Sequence, residues 1–138
     1  AADAGVEETV TVDLSNTYLD WAERNMRQNG FTGSNHYFVR DDVLAWIRDQ
    51  RQTDNRWDLI FCDPPYHKGL AWRALTFFDE STVLAHAGIL VVEHGADEND
   101  MPELSELRCV LNRRYGRTTQ LSFFQRKAYL KEIEEAEQ

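Results

Sequence analysis

The stretch Trp57-Asp58-Leu59-Ile60-Phe61-Cys62-Asp63-Pro64-Pro65-Tyr66 decides how the chain reads. Its first six residues, nearly continuous in apolar character, predict a central parallel strand. The two prolines beyond cannot extend that strand's ladder, because neither has an N–H and both fix φ. They leave a stiff segment that presents backbone carbonyls and one carboxylate, all acceptors, with an aromatic ring directly after. Such a segment suits a planar amine: the acceptors take the NH2 hydrogens while Tyr66 stacks on the ring, worth ~1–3 kcal/mol per base.

Outward from this stretch, strands and helices alternate. Thr9-Val10-Thr11-Val12-Asp13 alternates β-branched residues and predicts a strand that ends at an acid. Ser15 is a good N-cap for a helix carrying Tyr18, Leu19, Ala22 and Met26 at three- and four-residue spacing, closed by Asn29-Gly30. His36 to Val39 predicts a second strand, and Asp41 or Asp42 caps a helix through Val43, Leu44, Trp46 and Ile47. On the other side, Gly69 to Phe78 is helical in pattern, Ser81 to Ala85 predicts a shorter helical turn, and Gly88 to His94 predicts a fourth strand. Leu107 to Tyr115 and Thr118 to Gln125 predict two strands joined at Gly116, and the polar residues from Lys131 to Gln138 are expected to fray. The pattern is that of an α/β fold: a parallel sheet with helices on both faces, plus an antiparallel strand from the final hairpin.

At 138 residues and 16.1 kDa there is room for one domain, which buries roughly 68–70% of its unfolded surface and needs no staples. No apolar run approaches the ~18–20 residues of a membrane span. No signal peptide is read at the start. Cys62 and Cys109 fit no metal or disulfide spacing and are expected to be reduced cytosolic thiols; His36, His86 and His94 are scattered and give no metal site. The net charge of −9 argues against a generic nucleic-acid coat. The charges are segregated, however. Asp79 to Glu106 holds eight acids and no Lys or Arg, whereas Leu107 to Lys131 holds seven bases and no acid. Two solvated faces would explain this, and so would a basic edge that meets phosphates.

In parallel sheets ligands bind beyond the carboxyl ends of the strands. Those ends carry Asp13, the Asp41-Asp42 pair and Asp63-Pro64-Pro65-Tyr66. A carboxylate after a strand accepts hydrogen bonds from ribose hydroxyls or from an exocyclic amine, or simply caps the next helix. Convergence of three such ends is the functional signal.

The segment from Phe61 to Tyr66 resembles motif IV, the (D/N)PP(Y/F) signature, of Rossmann-like methyltransferases that use S-adenosylmethionine on exocyclic amines. Thr11 to Ser15 and Phe38 to Val43 are similar to motifs II and III of that superfamily. The segments Asp63 to Leu70, Ile89 to His94, Arg113 to Thr118 and Leu121 to Phe124 together resemble the guanine-N2 methyltransferases of small-subunit ribosomal RNA. Val12 to Ile47 also looks like the large-subunit rRNA methyltransferases. The resemblance covers Thr9 to Arg126.

It implies catalytic roles for Asp63, Pro64, Pro65 and Tyr66, and a cofactor site at Asp13, Leu14, Asp41, Asp42 and Val43. It also implies ribosomal RNA or a ribosomal particle as partner, in the cytoplasm and away from membranes. From charge and position, His67, Lys68, Arg113, Arg114 and Arg117 are assigned to RNA phosphates. The family's first strand and glycine-rich motif I precede the position of Ala1. Residues 1–138 are therefore expected to be a single methyltransferase domain, incomplete at its N-terminus. A missing N-terminal segment or a second chain would complete the sheet. Adenine-N6 methylation of DNA or RNA, and a non-catalytic half-domain acting as a binding module, are the alternative readings. A dinucleotide oxidoreductase shares the fold but gives no reason for Asp63-Pro64-Pro65-Tyr66.

Overall fold

The computed structural model describes residues 9–13, 24, 36–40, 45, 56–64 and 69–137. They fall in two compact units, Ala1–Asp49 and Gln50–Gln138. In the first, β1 (Thr9–Asp13) and β2 (His36–Arg40) pair in parallel, in register from Thr9↔His36 to Asp13↔Arg40. A parallel pair needs a crossover rather than a tight turn, as the intervening helix-like sequence anticipates. Arg24 and Ala45 are helical; the rest of the two helices expected here lies outside the described residues.

The second unit contains β3 (Trp57–Cys62), α1 (Leu70–Glu80), β4 (Leu84–Gly95), β5 (Leu107–Tyr115), β6 (Thr119–Arg126) and α2 (Lys127–Ala136). Its sheet has the order β3-β4-β6-β5. β3 and β4 are parallel, and β6 runs antiparallel to both β4 and β5. The expected antiparallel strand is thus β6, inserted between β4 and the edge strand β5.

α1 forms because its apolar residues recur along one stripe: Ala71, Trp72, Ala74, Leu75 and Phe78 are all buried. That stripe packs on β4, where Leu90, Val92 and His94 point to the same side. Leu75, Leu90 and Val92 are fully buried and Phe78 nearly so, each contributing roughly 1.5–3 kcal/mol by leaving water. The last turn carries Asp79, buried, whose carboxylate accepts the backbone N–H groups of Ser105, Glu106 and Leu107 at 2.9, 2.9 and 2.8 Å. That one side chain fixes where the chain enters β5.

Three expectations are corrected. Ser81 to Ala85 is not a helical turn. Ser81 caps α1 instead, its N–H and hydroxyl both donating to the Phe78 carbonyl, and Trp57 N–H then takes the Val83 carbonyl at 2.8 Å. The sheet captures this segment, so β4 starts at Leu84. The strand is irregular there: Trp57 pairs with Leu84 but Leu59 with Ile89, which crowds three extra β4 residues opposite two of β3. Gly88 sits in the bulge because a Cβ would lie 2.7 Å from Leu84 Cδ1 and 3.0 Å from the carbonyl oxygens of Ala85 and Trp57.

The chain from Lys131 onward does not fray but belongs to α2 up to Ala136. The helix is held by packing of Tyr129 against His86 (ring centroids 5.8 Å apart) and by exposed pairs of Glu132 with His86 at 3.0 Å and Glu134 with Arg108 at 3.7 Å. Such exposed pairs contribute little each. Finally, β3 is not a central strand among the described residues but the edge of its sheet, with Phe61 59% exposed.

Candidate active site at the carboxyl ends of the strands

β3 delivers Asp63 at the end where β4 and β5 also finish. Cys62 faces the core and is buried, Asp63 is exposed, and Pro64 is half-buried. This step from core to solvent follows from side-chain alternation and from the strand ending at the proline. Burial, and secondarily the negative charge of Asp63, push the Cys62 thiol up to about 12. A thiol held neutral in this way is neither a nucleophile nor a metal ligand at neutral pH. Of the pair, Asp63 is the one that reaches solvent. Pro65, Tyr66, His67 and Lys68 lie outside the described residues; the chain resumes at Gly69, left-handed at φ +65°, which leads into α1.

Next along the sheet, β4 ends in a closed knot. The Gly95 carbonyl accepts both the Glu98 N–H at 3.0 Å and His94 Nδ1–H at 2.9 Å, and Gly95 N–H donates to Glu98 Oε1 at 2.9 Å. A carbonyl only accepts, so Nδ1 carries the proton of the neutral His94 ring. Nε2 is then the acceptor for the Ser122 hydroxyl at 2.8 Å. The ring packs against Trp72 with centroids 4.6 Å apart and planes tilted at 49°, and Trp72 Nε1–H donates to Asp100 Oδ1 at 3.1 Å. This chain of contacts, buried at His94 and Ser122 and reaching the surface at Asp100, fixes the α1 face of the sheet beneath the strand ends. A cleft of about 400 Å³ opens beside it, between Gly69, Trp72, Arg73, Phe77, Asp100 and Pro102. Sequence reasoning missed the His94–Ser122 pair, whose only signal was the alternation that turns Ser122 inward on β6.

Farther across, the β5–β6 turn reaches the same end of the sheet. Gly95 is in register with Thr119, and Ala96 N–H donates to the Thr118 carbonyl at 2.9 Å. Arg113, Arg114 and Arg117 are all exposed at this tip, with Arg114 Nη2 donating to the Arg117 carbonyl at 3.1 Å. The second unit thus brings Asp63 and Pro64 to one sheet end with the three arginines.

The basic run as a whole divides. Arg126 donates to the carbonyls of Leu84 (2.9 and 2.6 Å) and Ser81 (3.3 Å), and Lys127 donates to that of Leu104 at 2.6 Å, so both are structural. Burial first, then the nearby charge of Arg56, lowers the Arg126 pKa against the opposing pull of Glu106 and Asp79. The acidic run divides too: Asp79, Glu98 and Asp100 are spent on the internal bonds described above.

In the first unit, Asp13 ends β1 level with Arg40 of β2, immediately before Asp41 in the sequence. The two strand ends expected to hold cofactor are thus flush and adjacent. Leu14, Asp41, Asp42 and Val43 lie outside the described residues.

Residues 1–125 match the model of a protein family described as conserved hypothetical protein 95. The ribosomal RNA large subunit methyltransferase K/L of Aliivibrio fischeri is 49% identical over 65 residues, 47% of this chain and 9% of that protein. The chain thus spans only a small part of the curated relatives it matches. A conserved hypothetical protein of Streptococcus pyogenes superposes with a TM-score of 0.77 at 18% identity, over 94% of this chain and 78% of that one. A candidate methyltransferase crystallised with S-adenosylhomocysteine superposes with a TM-score of 0.71 at 16% identity, over 90% of this chain and 40% of that one. The fold is shared with these structures, and the expected Rossmann-like architecture is thereby shown.

Proposed function

The chain belongs to the conserved hypothetical protein 95 family, and on that premise we propose that it works in S-adenosylmethionine-dependent methylation of ribosomal RNA, at an exocyclic amine and most specifically guanine N2. The observation that carries the reading is the exposed Asp63 followed by Pro64 at the carboxyl end of parallel strand β3, beside the end of β4. The rRNA methyltransferase name of the Aliivibrio relative and the cofactor product bound in a structural neighbour support it.

The residues fit such a cofactor in their chemistry. Asp13 at the end of β1, with Leu14, Asp41, Asp42 and Val43 following the flush strand ends, would hold it, carboxylates accepting from its hydroxyl and amino donors. When bound, the cofactor supplies a methyl group already activated by a sulfonium. The chain's task is to prepare the amine. The Asp63 carboxylate and the Pro64 carbonyl accept its two hydrogens, which aims the nitrogen lone pair, while Pro65 holds the segment stiff and Tyr66 stacks on the ring. Orientation of this kind supplies several kcal/mol, with ~7–11 as the ceiling. Asp63 can take up the released proton. A base inside a helix cannot reach such a pocket, so the target is flipped out or single-stranded. His67, Lys68, Arg113, Arg114 and Arg117 meet the flanking phosphates.

The setting is the cytoplasm, where the unpaired Cys62 and Cys109 stay reduced.

The test is methyl incorporation from labelled S-adenosylmethionine by the full-length protein into naked rRNA, assembled subunits and duplex DNA, followed by nucleoside analysis. N2-methylguanosine from an rRNA substrate is expected; N6-methyladenosine would transfer the reading to the other amine. Asp63→Ala should lower turnover by at least about a hundredfold with S-adenosylhomocysteine affinity kept within a few-fold. Near-parental turnover removes Asp63 from the mechanism. Absence of any heat on titrating S-adenosylhomocysteine would favour a non-catalytic binding module.

A further inference from the structure

Tyr115 has no role in the scheme above, yet its surroundings are distinctive. It closes β5, is 54% exposed, and sits between Arg113, Arg114 and Arg117, all exposed. We propose that the β5–β6 tip is a stacking subsite for one unpaired nucleotide of the RNA, with Tyr115 as the platform and the three arginines holding the adjoining phosphates. The inference rests on RNA being the substrate and adds a second contact point to it.

Four observations carry it. First, no acid occurs between Leu107 and Lys131, so nothing on the hairpin itself neutralises the tip; the acid of the adjoining turn tied to Thr118 is Asp97, exposed. Second, the edge strand alternates, which sends Arg113 and Tyr115 to one face of the sheet and Arg114 to the other. Arg113 therefore shares the face of the sheet that carries the ring, the arrangement of single-strand binders that combine a basic track with an aromatic face, while Arg114 lies on the opposite face.

Third, the tip is pre-ordered. Arg114 is pinned to the Arg117 carbonyl, Gly116 takes φ +65° in the turn, and Ala96 N–H ties Thr118 to the end of β4. An ordered platform loses less entropy on binding. Fourth, the placement suits a strand running from the catalytic end. Through the register Cys62↔Val92↔Ser122↔Asn112, Asp63 lies level with Arg113. Tyr115 is three strand spacings across, about 14 Å, and two residues farther out, about 7 Å. A few nucleotides of single strand bridge that gap. A lone exposed aromatic needs no explanation; one set among three arginines at this end of the sheet does.

The experiment is fluorescence anisotropy of a labelled twelve-nucleotide single-stranded RNA of mixed sequence with the full-length protein, across a KCl series. Tyr115→Ala should raise Kd at least about fivefold and Tyr115→Phe less than about twofold, as expected for stacking rather than a hydroxyl contact. Arg113→Gln, Arg114→Gln and Arg117→Gln should each flatten the plot of log affinity against log salt by about 0.7. An unchanged melting temperature in Tyr115→Ala shows that the fold is not what was lost. Kd within twofold in Tyr115→Ala, or no binding of this RNA by the parent protein, overturns the subsite. Methyl transfer that persists while Tyr115→Ala binds like the parent defeats the subsite alone. RNA binding that needs Tyr115 without methyl transfer to any amine defeats the proposed reaction alone.

Discussion

Replacing Asp79 tests how the hairpin that carries the basic tip is mounted. Asp79 Oδ1 accepts the N–H groups of Glu106 and Leu107, and Oδ2 accepts that of Ser105. In Asp79→Ala all three donors lose a charged acceptor. Ser105 and Glu106 are exposed, so water replaces the carboxylate there and each loss costs about 0.5–1.5 kcal/mol. Leu107 is 1% exposed, its N–H has no water to turn to, and leaving it unpaired costs about 1–3 kcal/mol. The sum is about 2–6 kcal/mol. Asp79→Asn keeps an acceptor for two donors but sets its own N–H against that of Ser105, so it should fall between parent and Ala. Urea unfolding of the full-length protein reads this out: with a slope of about 1–3 kcal/mol/M, a loss of 3 kcal/mol lowers the midpoint by about 1–3 M. A shift below about 0.3 M in Asp79→Ala, or an Asn variant as damaged as the Ala one, would refute this account of the mounting.

Other outcomes follow from the same geometry. Gly88→Ala should destabilise by about 1–3 kcal/mol, because two of the three atoms its Cβ meets are backbone oxygens that cannot swing aside; an unchanged melting temperature would show the bulge to be soft. Ser122→Ala removes the donor to buried His94 Nε2 and should cost about 1–3 kcal/mol, measured by the same urea titration. For Cys62, the folded-state pKa of about 12 lies above the ordinary 9.0 of a cysteine thiol, so the folded protein holds this proton more tightly than the unfolded chain. The resulting stability is intact below pH 9 and falls as pH rises from 9 towards 12, at up to about 1.4 kcal/mol per pH unit. Cys62→Ala should lose less stability than the parent over that window. At pH 8, iodoacetamide should label Cys109, and label Cys62 only after unfolding.

Sequence alone determined what local rules govern. The alternation at Thr9–Asp13, the apolar run at Trp57–Cys62, the stripe of α1 and the glycine turn at Gly116 are properties of residues within one element, so strand or helix could be read from each. The acceptor character of Asp63 and Pro64 was equally legible, because proline lacks an N–H in any context. Tertiary structure decided what depends on partners distant along the chain. Ser81 to Leu84 became cap and strand because Trp57 N–H captures the Val83 carbonyl, and the C-terminal residues became α2 because Tyr129 finds His86. Only the fold could divide the seven bases, tying Arg126 and Lys127 to internal carbonyls and leaving Arg113, Arg114 and Arg117 in solvent. The physical reason is the same in each case: a charge or a β-branched residue states what it can bond to, while the partner that reaches it first is set by the register of strands formed elsewhere.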